Sequence, residues 1–140
     1  MRASNKRRQV HRRKARRGAA LVEFCVCLPV VVLIVFGTIE ACQMIYLKQS
    51  VTIAAYEGAR TAIVPDVELG SVEVVVQQIL DDRGIQNSTI TVSPADIIFT
   101  PAGEYISVEV TAPVNDNAPF SSFITNNSIV SGRVEMMKEF

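Results

Sequence analysis

Glu23 is the residue whose chemistry asks for an explanation. It stands five residues past Gly18 in Arg16-Arg17-Gly18-Ala19-Ala20-Leu21-Val22-Glu23-Phe24, where a basic run stops and an apolar run begins. A carboxylate deep in a bilayer costs about 2.5–3.5 kcal/mol on insertion scales. Its place near one edge of the apolar run lets snorkelling relieve part of that cost, and a harmless interfacial glutamate is the plain alternative. No catalytic set accompanies it. His11 is the only histidine and lies in the basic run. There is no His/Cys metal spacing, no Gly-rich phosphate loop and no nucleophile elbow. Asp81-Asp82 reads as a solvated helix end, and Glu104 and Glu109 read as water-facing residues. The chain is therefore read as a non-enzyme, with no cofactor and no metal.

The charge balance shows what surrounds Glu23. The chain has 140 residues and a formal net charge of zero. Nine of its 14 Lys and Arg fall within residues 1–17, which hold no acid, so the remainder carries five basic residues against 14 acids. A basic tail can bind nucleic acid. This one abuts an apolar segment and carries no interleaved aromatic residue, which favours the positive-inside rule and no nucleic-acid role. The basic end stays in the cytoplasm and the other end crosses.

The uncharged run Phe24–Ile39 is 16 residues long, and Ala19–Glu23 brings it to 21. As helix that is about 31 Å, the thickness of a hydrocarbon core. It exceeds the apolar core of a secretory signal, and Thr38-Ile39-Glu40-Ala41-Cys42 is a poor signal-peptidase or lipoprotein site. Three cysteines make no disulfide framework. Cys25 and Cys27 read as packing residues within the span, while Cys42 only flags an intermolecular contact.

These features divide the chain into a basic cytoplasmic leader (1–18), a transmembrane helix (19–40), an extracytoplasmic continuation of that helix (41–63) and a small α+β domain (64–140). The expected fold is α+β and pilin-like: a long N-terminal helix packed on a small antiparallel sheet with one further helix. Glu40–Ile63 has no proline and one glycine, with apolar and alanine residues spaced for an amphipathic face. Residues 64–70 read as a turn around Pro65, Asp66 and Gly70. Ser71–Arg83 reads as a helix, because Val72, Val75, Val76, Ile79 and Leu80 keep helical spacing and Gly84 suits its end. A strand is the competing reading for so many valines. Thr89–Ser93, Tyr105–Val110 and Ser128–Met137 alternate as strands, with Pro101–Gly103 a turn and Gly132 a bulge position. Asn115–Asn127 reads as a polar loop carrying Pro119, Phe120 and Phe123. The two Asn-x-Ser/Thr sites, at Asn87 and Asn126, carry no assigned function. A domain this small is marginal alone, so the long helix is expected to cover one sheet face.

Over residues 16–63 the sequence resembles TadE-like proteins of the tight-adherence pilus system. The resemblance rests on Arg16–Phe24, on Leu28-Pro29 with the apolar run after it, and on Ala54-Ala55-Tyr56-Glu57-Gly58-Ala59-Arg60. In type IV pilin-like precursors a prepilin peptidase cuts after a glycine that follows a basic leader, and glutamate is fifth in the mature chain. The resemblance thus implies cleavage between Gly18 and Ala19, with Glu23 in the fifth place as an assembly residue. Ala19 stands where many type IV pilins have phenylalanine. The implied partners are the prepilin peptidase, other pilin-like Tad subunits with their assembly machinery, and membrane lipid. The implied setting is the bacterial inner membrane, single-pass, N-terminus cytoplasmic and the C-terminal domain outside, with possible entry into a surface pilus.

Physical chemistry is consistent with that role. Cutting after Gly18 removes nine basic side chains and frees an amine on Ala19, largely cationic at neutral pH. In a stack of staggered helices that amine would pair with Glu23 of a neighbour and help set the register. Pro29 cannot donate to the carbonyl of Cys25, so a kink there is expected beside the alternative of a tolerated membrane proline. Glu40 is expected at the outer interface, and Glu57 and Arg60 to pair locally or pack on the domain. Two other readings stay open: an uncleaved single-pass anchor whose outer domain binds a partner, and a secreted domain released near Cys42.

Overall fold

The computed structural model describes residues 4–118 and 128–139, with side chains from Gly18 onward. The elements in order are α1 (Ser4–Ala62), α2 (Leu69–Asp82), β1 (Thr89–Ser93), β2 (Tyr105–Pro113), α3 (Val114–Asn117) and β3 (Ile129–Met137). The chain divides into two units, Met1–Ile39 and Glu40–Phe140.

The first unit is helix. α1 begins upstream of the expected residue 19, at Ser4. The Lys, Arg, Gln and Ala residues there are good helix formers, and no proline or glycine interrupts them before Gly18. Helix continues through Pro29. Every side chain from Gly18 to Ile39 is exposed. From Gly18 the helix is long and apolar enough to cross a membrane, which is compatible with a single-pass membrane protein.

The second unit is the α+β domain, with a three-stranded antiparallel sheet in the order β1-β2-β3. Its core has three contributors. The distal part of α1 buries Leu47, Val51, Ala54, Ala55, Ala59 and Ala62; α2 buries Val72, Val76 and Leu80; β2 buries Ile106, Val108, Val110 and Ala112. The alternation along β2 is complete, with each intervening residue turned to the other face. Glu109 is half-buried on that face, and Glu104 is exposed. The expected amphipathic helix, sheet and α+β class are therefore present.

Small residues make the layers fit. A Cβ on Gly58 of α1 would stand 2.5 Å from Val76 Cγ2 and 3.2 Å from Val108 Cγ1, so its hydrogen lets α1 meet α2 and β2 at once. Gly132 is not a bulge: it pairs in unbroken register with Val110. Its small size serves another contact, because a Cβ there would meet the α1 backbone at 2.7 Å from Thr52 N.

Boundaries shift where backbone bonding outweighs local sequence signals. α2 starts at Leu69 rather than Ser71, with Ser71 N–H donating to Glu68 O at 3.0 Å and Gly70 inside the first turn. It ends at Asp82, one residue short of the expected Arg83, and Gly84 follows the cap with a φ of +68° that suits a glycine. Gly84 N–H donates to Asp81 O and Ile85 N–H to Leu80 O, both at 2.9 Å, closing the helix end. β2 runs on to Pro113 because β3 pairs along its full length, as far as Ile129. The start of the expected polar loop is the short helix α3, and Pro119, Phe120, Phe123 and Asn126 lie outside the described residues.

Candidate functional site

The sequence-derived site lies in the first unit. Gly18, Ala19 and Glu23 are all helical and exposed, and a Cβ on Gly18 would meet nothing within 4 Å. Ala19 and Glu23 are four residues apart, one above the other on the same helix face. Pro29 lies six residues further along the same helix. An exposed carboxylate such as that of Glu23 can pair with a cation.

In the second unit Glu57 and Arg60 form an i,i+3 ion pair at 3.8 Å, with side chains 38% and 69% exposed. That is one of the two arrangements expected for them. At such exposure its worth is a few tenths of a kcal/mol. Among the described residues, no group of three or more His, Cys, Asp or Glu could hold a metal ion. Asp81 accepts a 2.8 Å bond from Gln77 Nε2 and is exposed.

Three arrangements escaped the sequence reading. Glu40 is not a water-facing residue in this unit: it is 9% exposed, and its Oε1 has no hydrogen-bond partner. The signal was present, because Glu40 precedes Leu47 by seven residues and so continues the buried stripe of α1. Lys138 is 6% exposed and donates from Nζ to Ile97 O at 2.8 Å and Ile98 O at 3.3 Å, which ties the β1–β2 connection to the end of β3. Its signal was only a lysine just past a strand.

The third is Asn117. Its Oδ1 accepts from Gln86 N–H at 2.7 Å, and its Nδ2 donates to Gln86 O at 3.0 Å and Pro113 O at 2.7 Å. One side chain thereby imitates a strand neighbour and clamps α3 to the segment that leads into β1. Asn87, at φ +54°, adds a 2.8 Å bond to Asp116 Oδ2. Asn is among the residues that tolerate this left-handed region. A loop reading of Asn115–Asn127 gave no partner for these amides.

Residues 18–60 match the family model for TadE-like protein. The match begins at the glycine of the inferred junction and ends at the arginine of the Ala54–Arg60 stretch, so the resemblance holds where those motifs lie. The family points to a pilin-like component associated with the Tad pilus, structural in kind, and to association with other Tad pilus subunits. No curated protein and no solved structure matches the chain.

Proposed function

We propose that this chain, TadE-like over residues 18–60, is a minor pilin or pseudopilin matured by a prepilin peptidase between Gly18 and Ala19. The observation that carries the reading is the family match opening at Gly18, with the basic leader before it and Glu23 fifth after it. Nine Lys and Arg in residues 1–17 hold the N-terminus in the cytoplasm, since each would resist entry into the bilayer centre by about 2.5–3.5 kcal/mol. Removal of the leader abolishes that barrier and lets the subunit leave the membrane for a polymer. The new amine of Ala19 then neutralises Glu23 of a neighbouring subunit. α1 serves as the packing helix of the assembly, and the α+β domain faces outward.

The test is the N-terminal residue and intact mass of the membrane form, with and without a cognate prepilin peptidase. The expected result is a terminus at Ala19 that is lost in a Gly18→Val variant. An intact leader in the presence of active peptidase would instead make the chain an uncleaved single-pass anchor, whose outer domain binds a partner.

A further inference from the structure

We infer that the free edge of β1 is a strand-addition site for an extended, basic segment of a partner polypeptide. The sheet register and two hydrogen bonds fix which backbone groups that edge presents. Val114 N–H donates to Ser128 O and Lys138 N–H to Glu104 O, both at 2.9 Å. Both bonds continue the β2–β3 register, so the even-numbered residues of β2 bond toward β3. The odd-numbered ones bond toward β1, where Thr111, Glu109 and Ser107 face Thr89, Thr91 and Ser93. The N–H and C=O groups of Ile90 and Val92 are left pointing out of the sheet. Among the described residues none of these groups has a hydrogen-bond partner. The opposite edge is treated differently. There Lys48 Nζ donates to Ser131 O of β3, and Arg133 and Glu135, paired at 2.6 Å, add charge. Lysine and charge are common means of keeping a sheet edge from pairing. Thr89–Ser93 has no charged residue and no proline, and no bulge interrupts its register.

The space beside this edge defines its occupant. Glu73, Val74 and Gln77 of α2, with Ser88, Thr89 and Ile90, line a cleft of about 640 Å³. On an added strand, the residues opposite Ile90 and Val92 turn their side chains to the same face as theirs. Ile90 and Val92 pack against the core, on the face that α2 covers. Alternate side chains of the added strand thus enter the cleft. Val74, 66% exposed, offers them an apolar wall, and Glu73, also exposed, offers a carboxylate. Residues 64–140 carry 11 acids and three basic residues, so the field around the cleft favours a cation beside Glu73. A row of outward N–H and C=O groups calls for extended polypeptide, because another strand returns a C=O for each N–H at the same spacing. A second copy of β1 fits worse: Thr89–Ser93 holds no cation for Glu73.

Strand addition here does not rest on cleavage at Gly18, and the test uses no peptidase, so its failure would leave the maturation reading untouched. The full chain in detergent is titrated with a fluorescent peptide, Ser-Thr-Lys-Thr-Val-Thr-Ser, whose lysine and valine stand two apart for the cleft. Saturable binding below about 1 mM is expected. Amide exchange at Ile90 and Val92 should slow about ten-fold or more, while Thr91, already bonded toward β2, stays unchanged. The same peptide N-methylated at its lysine and valine lacks the donors for the edge and should not bind. Glu73→Lys should weaken binding about ten-fold, and replacing the peptide's lysine by glutamate should restore it. Absence of saturation, equal binding of the N-methylated peptide, protection elsewhere than at Ile90 and Val92, or indifference to Glu73→Lys would overturn the proposal. Slow exchange at Ile90 and Val92 without peptide would also overturn it. A rise of that protection with protein concentration would assign the edge to a second copy, and independence of concentration to a segment of the same chain.

Discussion

Gly132 of β3 lies against Thr52 of α1 so closely that a methyl group in place of its hydrogen would come within 2.7 Å of Thr52 N and 2.8 Å of Thr52 Cα. The neighbour is backbone inside a helix and cannot turn aside as a side chain would. Gly132→Ala is therefore expected to destabilise the domain by about 1–3 kcal/mol, the cost of overpacking. Thermal or urea unfolding of the full chain in detergent measures it. Gly70→Ala is the control, because a Cβ there meets nothing within 4 Å.

Asn117 concentrates three hydrogen bonds in one amide. Asn117→Leu keeps much of the volume and removes all three, leaving Gln86 and Pro113 backbone groups short of partners. The expected loss is about 2–3 kcal/mol, with faster amide exchange at Gln86. Asn117→Asp restores only the acceptor and should fall between the two. Unchanged exchange at Gln86 in the leucine variant would contradict the clamp.

Glu40 predicts the opposite sign. One of its oxygens is buried without a hydrogen-bond partner, so the native residue weakens the isolated chain. Glu40→Gln removes the ionisable group at nearly the same shape, and a gain of about 1 kcal/mol or more is expected in thermal unfolding. A loss of stability would mean that the carboxylate is paired in the membrane-bound protein.

Glu23 should matter only to assembly. It is exposed within the first unit, so Glu23→Ala leaves insertion and the unfolding of the outer domain unchanged. Co-isolation with the other pilus subunits is expected to fall about ten-fold, since a partnered charge is lost at each helix contact. Undiminished co-isolation would remove Glu23 from the assembly role.

The sequence was most legible where one periodicity dominated. Alternation in Tyr105–Val110 located β2, and the 3.6-residue spacing of Val72, Val76 and Leu80 located α2 and its buried face. Gly84 was readable because a helix end has one common solution. Gly132 was readable as special but for the wrong reason. A glycine in a strand signals a bulge or a close approach, and only the position of α1 decides between them. Asn117 was illegible, because two of its three bonds go to Gln86, 31 residues away in sequence. Glu40 was read as interfacial because it directly follows the apolar run that ends at Ile39, although its phase on α1 matched the core. For the candidate site, Glu23 was conspicuous as a charge in an apolar run, whereas the roles proposed for Gly18 and Glu23 came from the resemblance to TadE-like proteins.

The burial of Lys138 has a practical side for anyone labelling this protein. Past the leader the chain has only two lysines, Lys48 and Lys138, and Lys138 is 6% exposed with its Nζ bonded to two carbonyls. Amine-directed reagents thus find one accessible side chain, Lys48, in the folded outer domain. Cleavage after Gly18 would remove Lys6 and Lys14 with the leader and expose the single new amine of Ala19. Counting the modified amines on the folded protein would therefore report its processing state directly.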